Sequence, residues 1–107
     1  MIFVETPIFT AQIKALVSDE EYATLQRELA ADPEAGDVIV GTGGLRKIRM
    51  AAKGKGKRGG ARVIYFYFMA DDRIAMLLAY CKGVKDDLSA KEKRILAGII
   101  KTWRHAR

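Results

Sequence analysis

One histidine, one cysteine, two prolines and one tryptophan occur in 107 residues, and the scarcity of the first two closes whole classes of chemistry. A single cysteine, Cys81, forms no intramolecular disulfide, so a reducing compartment is expected and the thiol is read as a small buried hydrophobe. One cysteine and one histidine cannot supply a zinc or iron–sulfur cluster, so no metal is expected. His105 stands two residues from the C-terminus, and neither a Ser-His-Asp nor a Cys-His set has credible members. Long hydrophobic runs are missing too. The longest, Val63 to Ala70 and Ile74 to Cys81, are eight residues each, against about 20 for a membrane helix. Met1-Ile2-Phe3-Val4 is followed at once by Glu5 and Pro7, unlike a secretory signal. The expectation is a cytoplasmic chain without membrane contact, forming one domain over residues 1–107.

Acid is absent where base is densest. The 22 residues Gly41 to Arg62 hold eight Lys/Arg, seven Gly and no Asp or Glu. Elsewhere eleven bases face thirteen acids, so the formal net charge of +6 resides wholly in this stretch. Alternation in Lys53-Gly54-Lys55-Gly56-Lys57 leaves the backbone free to approach a ligand while the ammonium groups fan out. A polyanion is the natural partner of such a surface.

The remaining pattern predicts the elements. Ile2-Phe3-Val4 reads as a short strand. Thr6 is an N-cap with Pro7 at the first helical position, and Ile8, Phe9, Ile13, Leu16 and Val17 form the apolar stripe of a first helix. Ser18-Asp19-Glu20-Glu21 is a capping box that opens a second helix, with Tyr22, Leu25, Gln26 and Leu29 inward and Asp32-Pro33 as its stop. Leu45 to Met50 reads as a strand, with Leu45, Lys47 and Arg49 on one face and Arg46, Ile48 and Met50 on the other. The two eight-residue apolar runs form a hairpin about Asp71-Asp72-Arg73, and apolar residues on both faces make them central strands. Ser89-Ala90-Lys91-Glu92 caps a C-terminal helix with the stripe Ile95, Leu96, Ile99, Ile100 and Trp103. Two helices, an antiparallel sheet and a last helix give an α+β fold.

Gly54-Lys55-Gly56-Lys57-Arg58-Gly59 formally matches G-x-G-x-x-G. A dinucleotide site needs a helix after those glycines, and Val-Ile-Tyr-Phe-Tyr-Phe is strand. No nucleotide or other cofactor is therefore expected. If residues 45–52 and 62–70 pair, and 62–70 also pairs with 73–81, then Arg62, Lys82 and the loop lysines share one end of the sheet, with Lys85 in reach. Tyr80 adds a phenolic O–H there, with Tyr65 and Tyr67 more remote. Such a cluster binds phosphate. It can also cleave RNA without a metal, because RNA brings its own nucleophile in the 2′-OH. A base for that hydroxyl, positive charge for the phosphorane-like transition state and an acid for the departing 5′-oxygen complete the transesterification. A lysine crowded by other cations loses its proton more easily and could be the base.

The string GDVIVGTGGLRKIRMAAKGKGKRGGARVIYFYF, with the FVET opening, SDEEY and the terminal helix ending in Trp103, resembles the RelE/HigB superfamily of bacterial toxins, and most closely its HigB-like branch. The resemblance covers essentially the whole chain and implies a RelE-like fold, a twisted antiparallel sheet with two N-terminal helices and a C-terminal helix packed on it. It implies a ribosome-dependent endoribonuclease, an mRNA interferase that inhibits translation. Its partners would be the ribosome, mRNA and a helix-turn-helix antitoxin, with operator DNA bound only through that antitoxin and the toxin itself monomeric. By position the family's basic site residues match Lys53, Lys55 and Arg62, together with Tyr80, Lys82 and Lys85. Arg62 is expected to stabilise transition-state charge and Lys53 or Lys55 to act as base. Arg46, Lys47, Arg49, Lys57, Arg58 and Lys85 are expected to grip RNA backbone. The competing reading is a non-catalytic RNA- or ribosome-binding regulator that uses the same patch.

Overall fold

The computed structural model describes residues 1–53, 60–83 and 87–105. In chain order the elements are β1 (Ile2–Glu5), α1 (Pro7–Leu16), α2 (Asp19–Ala31), β2 (Asp37–Val38), β3 (Arg46–Met50), β4 (Ala61–Phe68), β5 (Arg73–Cys81) and α3 (Ala90–His105). Both N-terminal helices start at the expected caps. The Thr6 hydroxyl accepts from the Phe9 amide at 3.0 Å. Ser18 and Glu21 exchange reciprocal bonds of 2.8 and 3.1 Å. Ser89 and Glu92 do the same at the head of α3, at 2.9 and 3.1 Å. Each such cap satisfies amides that a helix start leaves without partners, worth about 1 kcal/mol.

The strands form one five-stranded sheet in the order β1-β5-β4-β3-β2. It is mixed, not purely antiparallel as expected, because β1 runs parallel to β5 with Val4 opposite Ala75. α1 and α2 lie in sequence between β1 and the rest of the sheet, and a crossover of that length permits a parallel return. β4 and β5 are the central pair, buried along almost their whole length, in line with their uniformly apolar sequences. A 3₁₀ turn at Met69–Asp71, with Asp72 in the left-handed region, joins them, so that β4 ends two residues and β5 begins one residue earlier than expected.

Helices cover both faces of the sheet, giving three layers. On one face Phe9, Ile13, Leu25 and Leu29 from α1 and α2 meet Ile48, Met50, Val63, Tyr65 and Met76. On the other, Leu96 and Ile100 from α3 meet Ile64, Phe66, Phe68 and Leu77. Full burial of such a side chain contributes roughly 1.5–3 kcal/mol, so these layers hold the frame. Three expected core residues lie further out. Ile8 is 63% exposed and Ile95 53% exposed, because each helix buries a narrower stripe than its run of apolar residues suggested. Trp103 is half-buried, packed against the cluster with its ring 6.4 Å from that of Phe68. Cys81 is likewise only partly covered, at the end of β5.

Candidate functional site

The chemistry collects where β3, β4 and β5 lie side by side. Register places Arg49 opposite Arg62 and Arg62 opposite Tyr80, so these side chains share a face, with opposed Cβ atoms about 4.5–5.5 Å apart. That is the face covered further along by α3. Arg62 is 6% exposed, and its Nη1 donates to the Ala61 carbonyl at 3.4 Å. Like charges directly opposite in a sheet are unfavourable, and the two guanidiniums together make this part of the face strongly positive.

Lys47, Arg49, Arg62 and Lys82 line one groove of about 500 Å³, together with Glu28, Ala35, Gly36, Asp37 and Ile48. It exists because β2 is so short. Asp37 and Val38 pair only with Lys47 and Arg46, and the groove opens beside the remainder of β3. The Lys82 amide donates to the Gly60 carbonyl at 3.2 Å, continuing the β4–β5 pairing and bringing Lys82 to the end where Arg62 stands. Lys47 forms a 3.4 Å ion pair with Asp87, whose carboxylate also accepts from the Leu88 amide at 2.8 Å. That amide bond, and then Lys47, hold the Asp87 carboxyl below the usual carboxylate range. The segment leading into α3 is thereby tied across to β3.

Tyr80 has a buried hydroxyl. Burial raises its pKa, the Asp87 carboxylate adds to this, and Arg62 opposes it. The phenol is therefore protonated at neutral pH, and it is positioned against Arg62 on the neighbouring strand. Tyr65 is on the opposite face, where its hydroxyl accepts from the Gly36 amide at 2.9 Å and donates to the Pro33 carbonyl at 2.8 Å. Its role is architectural.

The structure thus brings together five of the eleven expected site residues: Arg62, Lys82, Tyr80, Lys47 and Arg49. Two others point elsewhere. Arg46 alternates to the far face and ties down the chain before β2, donating to the Gly36 carbonyl at 2.7 Å and pairing with Glu34 at 3.1 Å. Lys53 turns toward α1 and α2. Its amide donates to the Glu21 carboxylate at 2.9 and 3.0 Å, and its Nζ donates to the Ala15 carbonyl at 2.9 Å. Lys55, Lys57, Arg58 and Lys85, and the glycine motif Gly54–Gly59, lie outside the described residues. Lys53 borders a separate cleft of about 520 Å³ that also includes Glu20, Glu21 and Glu28; three carboxylates make that wall a poor host for a polyanion. Among the described residues, no group of three or more His, Cys, Asp or Glu is placed to hold a metal ion. Nor is any helix there long and apolar enough to cross a membrane.

Sequence reasoning missed the acids of the site, Asp37, Glu28 and Asp87. The only signal was Asp37 before an isolated Val-Ile-Val, a strand too short to stand out from a loop.

A family model for the RelE toxin of RelE/RelB toxin–antitoxin systems matches residues 6–107, nearly the entire chain and every element except β1. The chain belongs to the RelE toxin family.

Proposed function

We propose that this toxin is a ribosome-dependent endoribonuclease that cuts translated mRNA, with the groove of Lys47, Arg49, Arg62 and Lys82 as its active site. The observation that carries the proposal is the row Arg49–Arg62–Tyr80 across three adjacent strands, with Lys47 and Lys82 in the same groove. Four cations there greatly exceed what a fold needs, and they suit a phosphodiester whose charge grows during reaction. Attack by the 2′-oxygen on phosphorus breaks the bond to the 5′-oxygen, leaving a 2′,3′-cyclic phosphate and a free 5′-hydroxyl. Arg62, held on a strand, offers its fork to the developing charge at the phosphate oxygens. Lys47 and Arg49 hold the scissile and neighbouring phosphates. Lys82, together with Lys55 of the glycine–lysine segment, supplies the proton transfers. Tyr80 keeps Arg62 in place.

The same reading makes the protein a cytoplasmic, monomeric toxin of the HigB-like branch, neutralised by a helix-turn-helix antitoxin through which alone operator DNA is bound. Mapping mRNA 5′ ends after induced expression tests it. In-frame cuts within translated codons are expected. Growth arrest without new 5′ ends would instead identify a non-catalytic ribosome binder.

A further inference from the structure

We propose that Asp37 is a specificity-determining residue of this groove, its carboxylate reading the base next to the scissile phosphate and favouring guanine. The inference rests on the nuclease reading above and adds to it which base is preferred and which residue sets the preference.

The groove is not uniformly basic. Arg62 lies on β4 and Lys82 just past β5, while Asp37 comes from the edge strand β2 and Glu28 from α2. A surface built only to grip phosphates gains nothing from carboxylates in its wall. Asp37 is opposite Lys47 in the β2–β3 pairing, which puts its side chain on the face of Lys47, Arg49 and Arg62. It is two strands out from Arg62 and two residues along, roughly 12 Å between backbone positions at the usual strand spacing and rise. A nucleotide spans a comparable distance from its phosphate to the Watson–Crick edge of its base. With phosphate at Arg62, that edge arrives at Asp37.

Asp37 is also available. Lys47, its cross-strand neighbour, gives its ion pair to Asp87, and Asp37 forms no ion pair among the described residues. Its mounting is stiff. Next to it, the Gly36 amide donates to buried Tyr65 and the Gly36 carbonyl accepts from Arg46. A Cβ at Gly36 would come within 2.8 Å of the Tyr65 ring, so this rim is pressed directly onto the core. A reader residue needs that fixity, because a loosely held carboxylate accepts equally from any donor.

The chemistry selects the base. A carboxylate offers two oxygens that only accept. Guanine presents adjacent N1–H and N2–H donors and can satisfy both at once. Adenine and cytosine offer one amino donor beside a ring-nitrogen acceptor. Uracil places its single N3–H between two carbonyl oxygens that repel a carboxylate. Unpaired RNA bases are read in this way, through their Watson–Crick edges.

The test uses the full-length protein with ribosomes programmed by messages that differ only in one nucleotide of the A-site codon, each position varied through all four bases. Single-turnover cleavage is followed for wild type, Asp37→Asn and Asp37→Glu. At one codon position wild type should cut guanine fastest and uracil slowest, by roughly 10- to 100-fold, the discrimination that one bidentate side-chain–base pair supplies. Asn, which replaces one acceptor by a donor, should collapse that ratio. Glu, which keeps both acceptors, should retain most of it. A guanine-to-uracil ratio that Asn leaves unchanged overturns the proposal, as does a wild type without guanine preference at any position. In both cases cutting persists and the nuclease reading stands. A wild type that cuts none of the messages defeats that reading, and the base preference falls with it.

Discussion

Arg62→Ala separates catalysis from binding. The guanidinium is nearly buried on a central strand and flanked by Arg49 and Tyr80. Truncation removes one of four cations lining the groove, yet the only one held on the central strand pair. Loss of one preorganised donor at a developing negative charge costs about 10²–10³ in rate, or roughly 2.7–4 kcal/mol. Removing one of several phosphate contacts at Lys47 or Arg49 should lower affinity modestly. Stability is expected to move little. Relief of the Arg49–Arg62 opposition returns up to about 1 kcal/mol, against lost packing of the arginine stem. A change within about 1 kcal/mol shifts the melting temperature by at most roughly 4–8 °C in a chain of this size. The assay is single-turnover cleavage on saturating, programmed ribosome complexes, beside thermal melting. Arg62→Lys, which keeps charge and stem but loses the planar fork, should fall between wild type and alanine. Wild-type cleavage by Arg62→Ala under saturation would refute the assignment.

The other expectations concern the frame and its pH dependence. Tyr65→Phe leaves the Gly36 amide and Pro33 carbonyl without their shared partner and should cost about 1–3 kcal/mol; an unchanged urea midpoint would show that the rim before β2 is not held by this hydroxyl. Gly36→Ala should cost a similar 1–3 kcal/mol through overpacking against the Tyr65 ring and the Lys47 carbonyl, and a neutral result would mean that the rim yields. Trp103→Ala should cost about 2–3 kcal/mol, below the full core penalty because the ring is only half-buried; no shift in melting would show that the end of α3 is not docked. The Glu21 carboxyl is held low by the Ser18 and then the Lys53 amides, and Asp87 by Leu88 and then Lys47. Depressed carboxyl pKa values add stability that is present above the ordinary carboxylate range and lost as pH falls below about 4. Glu21→Gln with Asp87→Asn should therefore flatten the acid limb of the denaturation midpoint measured between pH 7 and 2. Parallel limbs would contradict this.

Local chemistry made much of the fold legible. Ser18 with Glu21 and Ser89 with Glu92 announce helix starts, because the partners lie within one turn of chain. The strands β4 and β5 declare themselves by apolar residues on both faces, a pattern that only a doubly covered strand tolerates. Alternation along Leu45 to Met50 sorted Lys47 and Arg49 from Ile48 and Met50, and the same period-two rule set Arg62 beside them once β3 and β4 paired. The concentration of charge between Gly41 and Arg62 likewise pointed to a polyanion without any coordinates.

What remained hidden depends on neighbours distant in sequence. Lys53 stands amid the basic run, yet its ammonium reaches Ala15 and its amide reaches Glu21, contacts set by how α1 and α2 dock. Arg46 differs from Lys47 by one residue and ends on the other face, holding backbone near Gly36. β2 is two residues long and carries no periodicity, so neither its pairing nor the groove beside it was legible. Sequence by itself determined the helix starts, the apolar strands and the place where basic charge concentrates, since each follows from residues within a few positions of one another. Only the tertiary structure decided that β1 joins the sheet in parallel, which cations face one groove and that Asp37 faces them, because those outcomes depend on the packing of α1, α2 and α3 against the two faces of the sheet.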